Sequence, residues 1–144
     1  MINVSIFFKD IKPIDLVKKN ITKLSELIFN DFNYSRIELN IVLTTDEHLS
    51  DMKKEYFNLD QYTDVIAFTI NDKVPAIEGE LYVSIDRVRE NATTFNASID
   101  KELKRVISHG VLHLVGLDDS SSAEKKEMTK YEDRYINSVG TIIG

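Results

Sequence analysis

The chain has no cysteine and no tryptophan, and only two prolines, five glycines and three histidines among its 144 residues. Without cysteine there are no disulfide staples, no thiolate metal sites and no thiol nucleophile, so His, Asp and Glu remain as the strong metal ligands. No apolar run approaches the roughly 18–20 residues that span a bilayer, and the amino terminus has no basic segment leading into an apolar core. The expectation is therefore a cytoplasmic protein with no membrane association. Basic excess is also missing: 18 Lys and Arg against 24 Asp and Glu give a net charge of -6. That balance excludes a sequence-independent nucleic-acid coat, which needs local Lys and Arg in excess, while leaving room for a small basic groove. What is present, 42% hydrophobic and 29% charged residues, is the composition of an ordinary globular domain, and the length predicts a single domain over 1–144.

Hydrophobic spacing supplies the elements. Ile2, Val4, Ile6 and Phe8 alternate with polar residues and predict a strand. Pro13 suits a first helical turn, and Ile14, Val17, Ile21, Leu24 and Ile28 continue at helical spacing towards Asn33. A second strand is predicted by Ile37, Leu39 and Ile41 alternating with Arg36, Glu38 and Asn40. Thr45 or Asp46 caps a short helix to about Tyr56, and a polar loop leads to Thr63 and Asp64. Strands over 65–70 and 80–85 follow, separated by a loop holding Pro75 and Gly79. Beyond Asp86 the pattern is helical, broken near Asn96 and Gly116, and Ser121 with Glu124 forms a capping-box signature. The predicted order is strand, helix, strand, helix, strand, strand, helix, helix, helix. It predicts an α+β fold with a mixed central sheet of about four strands and helices packed on it.

Two of the three histidines, His109 and His113, are four residues apart in an apolar helical segment and project from one side of it. Gly116 can end that helix in the left-handed conformation and let the chain fold back, bringing Asp118 and Asp119 towards the imidazoles. Two histidines and one carboxylate make three ligands with a fourth position open, the arrangement of catalytic zinc. Gly110 stands where H-E-x-x-H metalloproteases carry their Glu base, which argues against peptidase chemistry. Spacing alone leaves Asp118 and Asp119 as alternatives; a non-haem iron triad uses the same residue types, but a helical H-x-x-x-H followed by a turn Asp argues against it.

The string from His109 to Asp119, H-G-V-L-H-L-V-G-L-D-D, resembles the YbeY family of metal-dependent endoribonucleases in ribosomal RNA maturation, whose signature is H-G-x-L-H-L-x-G-x-D-H. The resemblance extends to Thr63–Phe68, T-D-V-I-A-F, and to Gly79-Glu80-Leu81 with Ser84-Ile85. It implies a zinc ion, one per chain, held by His109, His113 and Asp119, with Asp119 where the family usually has a third histidine. It implies catalysis through a metal-activated water. It also implies a single-stranded or precursor rRNA substrate, the 16S rRNA 3′ end, ribosomal small-subunit partners and a role in ribosome quality control. Phe57 stands where the family usually has an Arg thought to engage phosphate. The two departures also suit an alternative, a ribosome-assembly binding protein with little or no turnover.

Lys53 with Lys54, Arg87 with Arg89, and Lys104 with Arg105 are candidates to rim an RNA groove. Tyr56, Phe57 and Phe68 are candidates for base stacking, with core packing the competing role for Phe68. Asp64 and Glu80 are candidates to orient an imidazole N–H. His48 is expected on a solvated surface, and the helix from Ser121 to Ser138, Glu132 included, is expected to show interleaved charges to solvent.

Overall fold

Residues 1–59 and 62–144 are described by the computed structural model; Asp60 and Gln61, in the expected polar loop, lie outside the described residues. The elements follow the predicted order: β1 (Ile2–Phe8), α1 (Lys18–Asp31), β2 (Arg36–Thr44), α2 (Asp46–Phe57), β3 (Val65–Lys73), β4 (Ala76–Ser84), α3 (Ile85–Thr94), α4 (Ile99–Leu114) and α5 (Ser122–Ile136). The sheet order is β1-β2-β4-β3. β1 pairs parallel to β2, β2 parallel to β4, and β3 antiparallel to β4, so the sheet is mixed and β3 forms one edge.

Side chains alternate across the sheet, and the alternation divides the interior. Leu39, Ile41, Leu81 and Val83 join Leu24, Ile28, Val88, Leu103, Ile107 and Val111 in the main core. Ile66 faces the other way and packs with Leu49 and Met52 of α2, with Phe68 and Tyr82 alongside. α4 is the central helix, touching α1, α3, α5, β3 and β4. It lies close to the sheet because Gly110 has no side chain: a Cβ there would come within 2.8 Å of a Leu81 methyl and 3.0 Å of a Val65 methyl. Helix starts are capped as their sequences dictate. Thr45 accepts from the His48 N–H, and Ser121 and Glu124 form the expected capping box.

Two boundaries differ from the sequence expectation. The first helix begins at Lys18, not at Pro13, because the backbone before it is committed elsewhere: Val17 N–H donates to the Ile142 carbonyl, Leu16 bridges to Ile143, and Gly144 N–H reaches the Asp15 carbonyl. The β3–β4 hairpin is longer than expected, turning at Val74 and Pro75, so Gly79 lies inside β4 and Ile85 opens α3. Only one partner strand and a wet face are available to the outer half of β3, so Asn71, Asp72 and Lys73 extend it without an apolar pattern.

Candidate metal centre

The last two turns of α4 carry His109 and His113, and the helix then ends in a Schellman turn. Gly116 takes φ +102°, its N–H donates to the His113 carbonyl at 3.0 Å, and the Leu117 N–H donates to the Leu112 carbonyl at 3.0 Å. This reversal does two things. It places the Leu117 carbonyl 3.0 Å from His113 Nδ1, and it carries Asp119 back to the histidine face. Asp119 Oδ2 lies 3.1 Å from His109 Nε2 and 3.6 Å from His113 Nε2, while the two Nε2 atoms are 3.0 Å apart. Metal bonds of about 2.0–2.1 Å at tetrahedral angles would hold ligand atoms about 3.3 Å apart. These three donors therefore fit one small divalent cation without rearrangement, and they are the one group of three or more His, Asp or Glu among the described residues that converges in this way. Asp118 is engaged differently, its carboxylate accepting the Asp119 backbone N–H at 2.9 Å.

The far side of each imidazole is fixed. His113 Nδ1–H is directed to the Leu117 carbonyl, and His109 Nδ1–H to Glu132 Oε2 at 2.6 Å. These partners place the proton on Nδ1 and the lone pair on Nε2, the tautomer a metal ligand needs. Glu132 departs from expectation. Expected on a wet helix face, it is 5% exposed, and its second oxygen accepts from Arg105 Nη1 at 3.0 Å. Its position was legible in principle, because Met128, Glu132, Tyr135 and Ile136 follow the spacing of one buried helical stripe. Burial opposes charging His109, but the hydrogen bond and charge of Glu132, with Asp64 and Asp119, outweigh it and raise the imidazole's pKa above its usual value. Burial pushes the Asp64 carboxyl up, with His109 pulling against it.

The donors open onto a concavity of about 340 Å³, shared with Asp64, the start of β3, and Lys53 and Phe57 of α2. Lys53 is the one candidate cation placed there. Arg87 is held by Asp46 at 2.8 Å and Glu90 at 3.3 Å. Arg89 lines a different hollow with Ile14 and Ile99. Arg105 lies behind the histidines, bound to Glu132 and to Asp133 at 2.7 Å. Lys54 lines a hollow with Thr45 and Asp86. Lys104 is corrected from groove rim to interior: it is 7% exposed and 3.2 Å from Asp100. Of the two acids considered for orientation, Asp64 lines the concavity and accepts from Asn91 at 3.3 Å, whereas Glu80 meets the Tyr82 hydroxyl at 3.5 Å. His48 is half-buried against Tyr82, ring centroids 6.3 Å apart.

The family model described as Endoribonuclease YbeY matches residues 6–140. The Endoribonuclease YbeY of Cytophaga hutchinsonii is 41% identical over 104 residues, 72% of this chain and 73% of its own. That of Amoebophilus asiaticus is 37% identical over 134 residues, 93% of this chain and 91% of its own. Among solved structures, the solution structure of TM1509 from Thermotoga maritima matches with a TM-score of 0.62 at 27% identity, covering 94% of this chain and 87% of that one.

Proposed function

The chain belongs to the YbeY endoribonuclease family, and from that membership we propose that it is a zinc-dependent hydrolase, one domain over 1–144, that cuts unpaired RNA in rRNA processing. The observation that carries the metal reading is the meeting of His109 Nε2, His113 Nε2 and Asp119 Oδ2 within 3.0–3.6 Å of one another. In this reading those atoms are the zinc ligands, one ion per chain. When bound, the metal supplies Lewis acidity towards a phosphoryl oxygen and an attacking water. The protein's own groups do the rest. Glu132 and the Leu117 carbonyl hold the two imidazoles in the required tautomer, and Lys53 offers an ammonium to the phosphate within the same concavity. Among the described residues no helix is long and apolar enough to cross a membrane. The finer proposals are the 16S rRNA 3′ end as target, small-subunit components as partners, a part in ribosome quality control and a cytoplasmic location.

The test is cleavage of an end-labelled unstructured RNA by the zinc-loaded chain, the chelated chain and the His109→Ala/His113→Ala double variant. Cleavage by the first alone, restored to the chelated chain by zinc, is expected, together with loss of stoichiometric metal in the double variant. Full metal content in the double variant would overturn the site. RNA binding without cleavage under every condition would favour the assembly-factor alternative.

A further inference from the structure

α2 ends beside the edge strand β3, and Lys53 and Phe57, four residues apart on one helical face, both line the concavity of the metal donors. The Phe57 ring lies nearly parallel to that of Phe68, centroids 5.9 Å apart and planes 18° apart, and Tyr56 meets Phe68 edge-on at 5.7 Å. Lys53 Nζ sits over the Phe57 ring, 5.0 Å from its centroid, so a base that stacks there takes the place of the ammonium, which swings off the ring. Core packing accounts for Phe68, which lies against Leu49, Met52 and Ile66, but not for Phe57 and Tyr56. The α2 core is made by Leu49, Met52 and Ile66, whereas Phe57 is 43% and Tyr56 61% exposed. Among the described residues, four of the ten exposed large hydrophobic side chains, Tyr56, Phe57, Leu59 and Tyr62, fall in this one stretch. Of these, Phe57 lines the concavity itself and Tyr56 precedes it on α2, whereas Tyr62 lines the separate hollow of Lys54.

Resting on the RNA reading above, we propose that Phe57, backed by Phe68, is a stacking platform for one unpaired base of the RNA, with Lys53 holding the adjoining phosphate. A nucleotide presents what this corner answers: a flat π face beside an anion. Stacking also resolves the charge problem. The chain is acidic overall, and Arg87 and Arg105 are already engaged by carboxylates. Affinity for a polyanion then has to come in good part from the bases, whose π faces an aromatic ring accepts without regard to sequence.

The chain contains no tryptophan, so Phe57→Trp installs a single reporter at the platform. Titration of the zinc-loaded variant with a short phosphorothioate-linked oligouridine is expected to quench its fluorescence, and inorganic polyphosphate is expected to leave the fluorescence unchanged. In the parent chain, Phe57→Leu keeps an apolar side chain but no ring and should weaken oligouridine binding about five- to a hundredfold, while Phe57→Tyr restores it. Lys53→Gln should lower the slope of log affinity against log salt by about one unit. Equal affinities for the Phe57→Leu and parent chains, in a parent that binds and cuts RNA, overturn the platform and leave the nuclease reading intact. A parent that binds no oligonucleotide overturns both. A tryptophan signal that changes with protein concentration alone assigns the ring to a contact between two copies and overturns the platform.

Discussion

Helix α4 carries a cluster of ionic side chains at each end, and the two are completed in different ways. Near its start, Asp100 Oδ1 accepts the backbone N–H groups of Ile142 and Ile143 at 2.7 and 2.9 Å. Lys104, beside Asp100, donates to the Val139 carbonyl at 3.4 Å. Each charge there is answered from within the chain, and the result is a pinned carboxy-terminal segment. Near its end, His109 and His113 are answered only at Nδ1, while both Nε2 atoms crowd against the Asp119 carboxylate. Three electron-rich atoms so close repel one another unless a proton or a cation lies among them. A closed cluster holds the fold together. The other, held behind by Glu132 and the Leu117 carbonyl and converging in front, has the donor set of a candidate metal site.

The sharpest way to break that contrast is to remove a donor from the open end. Asp119→Ala is expected to lower zinc affinity by more than about a hundredfold, beyond the loss typical of groups that only support a ligand. Asp118→Ala, whose carboxylate serves its neighbour's N–H, should leave zinc stoichiometry intact. Competition with a chromophoric chelator measures both, and the opposite ranking would transfer the ligand role to Asp118. A smaller effect is expected from Glu132→Gln. One glutamate now serves two donors, His109 and Arg105. A glutamine that turns its oxygen to one must turn its NH₂ towards the other. Zinc affinity should fall about ten- to a hundredfold with the fold retained. An unchanged affinity would show that Glu132 plays no part in preparing His109.

Legibility in the sequence follows the same division. The strands, the helix order and the Gly116 reversal could be read because they depend on local periodicity and local backbone chemistry. The His109 and His113 pair with a carboxylate from the following turn could be read because a helix and one turn bring them together within a short span, while the choice of Asp119 over Asp118 came from the family resemblance. What could not be read depends on distant partners. Lys18 opens α1 because residues near the carboxy terminus claim the backbone of Asp15 to Val17. Lys104 and Arg105 are sequence neighbours, yet one turns to the carboxy-terminal segment and the other to α5. Glu132 was legible only in part: its spacing from Met128, Tyr135 and Ile136 puts it on their stripe despite the lysines and glutamates around it, but only the packing of α5 on α4 brings it to His109.

The smallest expected effect tests the closed end. Burial opposes the charge on Asp100, but the N–H groups of Ile143 and Ile142 and the ammonium of Lys104 prevail, so its carboxyl ionises below the usual carboxylate range. A carboxyl with a lowered pKa in the folded state binds protons less readily there than in the unfolded chain. Its contribution to stability is therefore complete above the ordinary Asp value of about 3.9 and disappears as the pH falls through the lower, folded value. Asp100→Asn keeps an oxygen for one N–H but loses the charge, so it should cost about 1–3 kcal/mol at neutral pH. The gap between parent and variant should stay level from neutrality down to about pH 5, then narrow as acid neutralises the parent's carboxylate. Urea unfolding at several pH values measures that gap, and a gap that persists undiminished into acid would remove the ionic account of this end. Zinc affinity of Asp100→Asn should match the parent's, since none of its partners touches the histidines. A loss of zinc in this variant would mean that the two ends of α4 act as one unit and that the contrast between them is false.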